Sequence, residues 1–171
     1  MIFLTVGTQL PFDRLVAAVD AWAARGRAEV FGQISDPGPA GYRPRHFPWV
    51  ADLAPAEFEA RFRAATHIVG HAGMGTIIGA LGAGKPLLVM PRRAHLGEQR
   101  NDHQFATVRR LCTRPEIART GILAAFEAGE VGARIDALLA AGTGCDGPGG
   151  APIARFAEKR LTDAIRAAIL G

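Results

Sequence analysis

The side chains and backbone turns able to do chemistry fall in three short stretches, each just after an apolar run. In the first, Gly7-Thr8-Gln9 offers backbone N–H groups together with a hydroxyl and an amide. That set suits a phosphate or a sugar hydroxyl, and it equally suits an ordinary tight turn. In the second, His71-Ala72-Gly73-Met74-Gly75-Thr76 puts small residues where a strand hands over to a helix. Gly73, Met74 and Gly75 let a diphosphate approach the backbone at the positive end of the helix. Thr76 either donates its hydroxyl to phosphate or caps the helix. His71 either donates to a phosphate oxygen or sugar, or is a histidine fixed by backbone hydrogen bonds.

The third stretch, residues 91–104, is unusually polar for a segment that follows a buried strand. Arg92 and Arg93 would neutralise diphosphate charge, while Asn101, Asp102, His103 and Gln104 supply donors and acceptors for sugar hydroxyls. The competing account is a solvated helix start capped by Asn101 or Asp102. So many polar groups in a loop of this kind favour function. The glycine spacing matches neither GxGxxG nor GxxxxGK[ST], so a dinucleotide site and a Walker loop both lack support.

Periodicity gives the elements that must position these groups. Ile2–Val6 reads as a strand buried on both faces, followed by a helix whose inner face is Phe12, Leu15, Val16, Val19 and Trp22. Asp13 stabilises that helix as an acid in its first turn. Strands are expected over residues 28–34, 66–70, 87–90 and 122–126, and helices over 55–65, 98–111 and a segment containing Val131, Ile135, Leu138 and Leu139. The helix after the second turn presents Ile77, Ile78 and Leu81. Pro44 and Pro48 argue against a central strand between Tyr42 and Val50. Alternating strands and helices imply an α/β fold, a Rossmann-like parallel sheet covered by helices on both faces. Ligands of such sheets bind beyond the carboxyl ends of the strands, where the three polar turns fall.

The chain of 171 residues is sized for one domain, expected over residues 1–140. A Gly-rich linker is expected over 141–151, then an amphipathic helix over 152–171 that packs on the domain or on a partner. All but two of the 20 basic residues are arginine, Lys85 and Lys159 being the exceptions, and the formal net charge is +4. The charges are scattered rather than blocked, which argues against a nucleic-acid partner, and none is expected. Cys112 and Cys145 lie far apart and away from histidine, and no carboxylate cluster marks a metal site. Free thiols and the short apolar start are expected of a cytoplasmic protein.

Four segments, taken in order, resemble a known family: residues 3–15, the turn His71 to Thr76, the stretch Gly84 to Arg92, and the pair His103-Gln104. They are similar to the C-terminal domain of GT-B glycosyltransferases of the MurG type. Within that family the likeness is to the small donor-binding subunit of two-component enzymes, such as the dolichol-linked N-acetylglucosaminyltransferase and bacterial exopolysaccharide transferases. The resemblance implies an inverting transfer from a UDP-sugar, as co-substrate with no further cofactor, to a lipid-linked sugar acceptor. It also implies a membrane-associated acceptor-binding subunit that recruits the chain to the inner face of the membrane and carries the main catalytic base. His71 is the fallback base on this chain. Gly73, Gly75 and Thr76 would meet the diphosphate and His103 and Gln104 the donor sugar; Gly79 stands where such enzymes commonly carry an acid for the ribose. A spare arginine near the sugar would suit a sugar acid. The rival account is a non-catalytic partner that stabilises or regulates a transferase with its own donor site.

Overall fold

The computed structural model describes residues 1–113 and 121–141. Six strands form one sheet: β1 (Ile2–Thr5), β2 (Val30–Gln33), β3 (Trp49–Val50), β4 (His67–His71), β5 (Leu87–Met90) and β6 (Ile122–Ala124). All five pairings are parallel and the order across the sheet is β3-β2-β1-β4-β5-β6. Among the described residues, five helices accompany them: α1 (Asp13–Ala23), α2 (Pro55–Ala64), α3 (Met74–Gly82), α4 (His103–Cys112) and α5 (Ala128–Ala140).

The strands are short and apolar because successive side chains enter two different cores. Ile2, Leu4, Val69, Leu88 and Met90 pack with Leu15, Val16, Val19, Trp22, Val131, Ile135 and Leu138 of α1 and α5. Phe3, Ile68, Leu87 and Val89 point the other way, onto Phe62, Ile77, Ala80 and Val108 of α2, α3 and α4. Helices therefore cover both faces, as the alternating pattern implies. β3 has only two residues at the sheet edge, in keeping with Pro44 and Pro48.

One buried charge shapes the region between β2 and β3. Asp20 of α1 is 1% exposed and accepts from the backbone amides of Arg45 and His46 and from the Tyr42 hydroxyl. Burial works to raise its pKa, but these donations hold it below the ordinary carboxylate value.

Two expectations change. The helix anticipated from residue 98 starts at His103 instead. The preceding residues form a 3-10 turn, Ala94–Leu96, closed by Gly97 at φ 71°. Polar side chains there bridge the loop: Asp102 accepts from the Ala94 amide, and Glu98 accepts from the Arg93 amide and from Arg14. Thr76 is not the cap of α3, since Gly73 holds that position and Thr76 is the third helical residue. The segment proposed as a linker, beyond Ala141, and the helix at 152–171 lie outside the described residues. Among the described residues, no helix is long and apolar enough to cross a membrane.

The strand order places β1 beside β4, and the loops that leave these neighbours run to helices on opposite faces of the sheet. A crevice opens at such a switch point. Its floor requires close strands: a Cβ on Gly70 would lie 2.7 Å from the Thr5 carbonyl oxygen. Gly70→Ala is therefore expected to destabilise the fold by about 1–3 kcal/mol, read as a lower urea midpoint with unchanged slope.

Candidate functional site

At the carboxyl ends of β1, β4 and β5 lies a pocket of about 260 Å³, lined by Val6, Gly7, Thr8, Gln9, Leu10, His71, Arg92, Gln99 and Gln104. The first turn, the histidine that opens the second, and parts of the third thus meet in space although they are remote in sequence. A larger groove of about 1080 Å³ between α1 and the 40–46 loop lies around the Asp20 network.

His71 ends β4 and joins the first two turns. Its ring lies close to both: a Cβ on Gly73 would be 2.3 Å from Nε2 and would force the ring to move, and one on Gly7 would be a tight 3.1 Å from Cε1. Gly7 also adopts φ 80°, which disfavours any other residue. Nδ1 is buried without a hydrogen-bond partner among the described residues. Burial, reinforced by the nearby positive charge of Arg92, lowers the His71 pKa to about 4, and the backbone of Thr5 offsets this only in part. At neutral pH the ring is uncharged, with one nitrogen able to donate and the other to accept.

Behind the ring, α3 begins. Its first internal bond runs from the Ile77 amide to the Gly73 carbonyl, and no side chain caps it. The amides of Met74, Gly75 and Thr76 thus have no partner within the helix and lie at the positive end of its dipole. A Cβ on Gly75 would meet nothing within 4 Å, so packing within the protein does not require glycine there. Met74 is 54% exposed, Thr76 is buried, and Gly73 to Thr76 lie beside the pocket rather than in its lining. Gly79 packs toward the Phe62 ring of α2.

Arg92 departs from the expected diphosphate contact. It is 3% exposed, and its guanidinium donates to the carbonyls of Val6 (3.0 Å), Leu10 (2.6 Å), Pro11 (2.7 Å) and Glu98 (3.3 Å). The ring of Phe12 lies 4.6 Å from its central carbon. Burial lowers its pKa to about 10, with Glu98 acting in the opposite sense, so it stays charged at neutral pH. Arg93 is also engaged: it donates to Glu127 and Phe126 and lies over the Phe105 ring. Neither arginine is spare for a sugar acid.

Gln104 is 5% exposed, and its side-chain oxygen accepts from the Arg92 amide, which fixes the orientation of the side chain at the pocket wall. Asn101 and His103 are exposed, bond to one another at the start of α4 and do not line the pocket. Thr8 and Gln9 line it from the exposed lip. Sequence reasoning missed Val6, Leu10 and Gln99 as lining residues. It also missed the Arg14–Glu98 ion pair (2.7 Å), which ties α1 to the loop after β5; nothing in a single sequence links residues so far apart. Among the described residues, no group of three His, Cys, Asp or Glu side chains is placed to hold a metal ion.

No protein-family model and no curated protein sequence matches this chain. Solved structures do. The glycosyltransferase SnogD from Streptomyces nogalater aligns with a TM-score of 0.55 at 21% identity, over 99% of this chain and 44% of that one. The fold is that of one half of a GT-B glycosyltransferase. The glycotransferase of kitacinnamycin aligns with a TM-score of 0.48 at 20% identity, over 97% of this chain and 42% of that one. The chain spans less than half the length of either.

The seat of His71 gives a direct prediction. An NMR titration of the wild-type ring is expected to show it neutral down to about pH 4. In Gly73→Ala the ring must leave its seat, and the pKa returns toward 6.5. Because the folded state binds this proton less readily than the unfolded chain, the group's contribution to stability is whole above pH 6.5. It is lost as the pH falls from 6.5 toward 4, by up to roughly 3 kcal/mol, and His71→Asn should flatten that part of the denaturation-versus-pH curve.

Proposed function

We propose that this chain is the donor-binding part of an inverting glycosyltransferase that takes a UDP-sugar and glycosylates a lipid-linked acceptor. The observation that carries this reading is the join at the switch point: one uncharged histidine seated against two glycine turns, with a polar pocket on one side and the uncapped start of α3 on the other. The two sides suit the two ends of one ligand. An anionic diphosphate fits the open amides of Met74, Gly75 and Thr76. A hydroxyl-rich sugar fits a pocket walled by Thr8, Gln9, Gln99 and Gln104, which supplies donors and acceptors with no carboxylate.

In the proposed reaction, the acceptor hydroxyl attacks the anomeric carbon, the bond to the diphosphate breaks, and a base removes the hydroxyl proton. The chain's own contribution is to hold the departing diphosphate. Backbone dipoles at α3 are already aligned for the charge that develops there, and the buried positive charge of Arg92 adds to the same potential. Neutral His71 has a ring nitrogen able to accept a proton and remains the candidate base on this chain; a base on the acceptor-binding partner is the reading that the MurG-type resemblance supports. The match covers 44% of the SnogD chain, and in this reading the other half of the GT-B enzyme is supplied by a membrane-associated partner subunit. That partner would bring a cytoplasmic chain to the membrane.

Calorimetric titration with UDP tests the reading. Binding is expected, and Gly75→Asp should weaken it by roughly tenfold or more, since the carboxylate occupies the open space at the helix start. The same substitution should leave folding stability unchanged or slightly raised, because an acid in the first turn favours the helix. Absence of UDP binding, alone and with the acceptor-binding partner, would remove the donor site from this chain and leave it a stabilising or regulatory subunit.

A further inference from the structure

We propose that Arg92 is a positioning residue for the pocket lip, residues 6–11, and that it acts through the geometry of its guanidinium rather than by touching the ligand's anionic group. The two terminal nitrogens carry four N–H groups. Four carbonyls take them, three from the ends of the lip (Val6, Leu10 and Pro11) and one, Glu98, from the loop after β5. Among the described residues, the lip residues between these anchors, Gly7, Thr8 and Gln9, have one hydrogen bond of their own, a 3.4 Å bond from the Gly7 amide to the Thr5 hydroxyl. The guanidinium is held in turn. The Arg92 backbone amide donates to Gln104, and the Phe12 ring lies against its face. A second arginine completes the lock from the other side, as Arg14 of α1 donates to both carboxylate oxygens of Glu98 and to the Pro91 carbonyl.

A planar fork can reach several carbonyls at once, whereas an ammonium on a flexible stem has the same charge and not the same reach. The substitutions Arg92→Lys and Arg92→Gln therefore separate geometry from charge. Positioning predicts that both loosen the lip. Amide order parameters at Thr8, Gln9 and Leu10 should fall from near 0.85, the value of rigid backbone, to below about 0.6 in each variant. UDP-glucose affinity should fall by roughly tenfold or more in both, because the lip must then be ordered on binding. A role played by charge alone predicts instead that Arg92→Lys keeps wild-type affinity while only Arg92→Gln loses it, and that result overturns the proposal. A lip that stays ordered in both variants overturns it as well.

The wild-type protein supplies a measurement that does not depend on whether either variant folds. Four guanidinium protons bound to four carbonyls should give distinct Nη–H resonances that keep their positions when UDP is added. A single rotationally averaged signal, or large shifts on adding UDP, would contradict the clamp. The affinity arm rests on the function proposed above. The order-parameter arm and the presence of distinct Nη–H resonances in the free protein do not, so failure of the donor reading and failure of the clamp are read separately.

Discussion

A guanidinium buried to 3% exposure whose hydrogen bonds, among the described residues, all go to main-chain carbonyls is an expensive object, and the carboxyl edge of this sheet is arranged around one. Arg92 stays charged because main-chain oxygens from two loops converge on it, and those oxygens are held in place because Arg92 needs them. Removing either side would leave buried polar groups unmatched. Loop 6–11 is thereby tied to β5, and Arg14 with Glu98 ties α1 to the loop that follows β5. The pocket is the space left between these ties and His71.

The same charge sets the state of the histidine. The His71 ring is largely desolvated, close to Arg92 and wedged against Gly7 and Gly73, so it stays neutral where an exposed imidazole would begin to protonate. A neutral ring beside a fixed positive charge and an open helix start makes a site whose positive potential comes from groups that do not titrate near neutrality. Such a site is preorganised for an anion, with little rearrangement needed when negative charge arrives.

Much of the scaffold could be read from the residues alone, for a physical reason. Strands buried on both faces must be continuously apolar, so Ile2–Thr5 and Leu87–Met90 announce themselves, and Gly26 with φ 65° ends α1 as a glycine should. The glycine turns and the pocket location follow from the parallel alternation. What stayed hidden depends on long-range partners. The run from Arg92 to Gln104 has the composition of an exposed polar loop, yet Arg92 and Gln104 are buried because the carbonyls of a distant turn and one backbone amide receive them. The start of α4 moved to His103 for the same reason: Glu98 and Asp102 bond across the loop rather than along a helix. The seating of His71 against Gly7 depends on strands β1 and β4 being neighbours, which no local pattern reveals.

The central claim is that one ligand bridges the start of α3 and the pocket beside His71. Mapping backbone amide shifts during titration with UDP-glucose tests it most directly. The account predicts shifts confined to Gly7–Gln9, His71 and Met74–Thr76, with UDP alone moving mainly the last group. Shifts centred on the groove between α1 and the 40–46 loop, or none at saturating ligand, would contradict it.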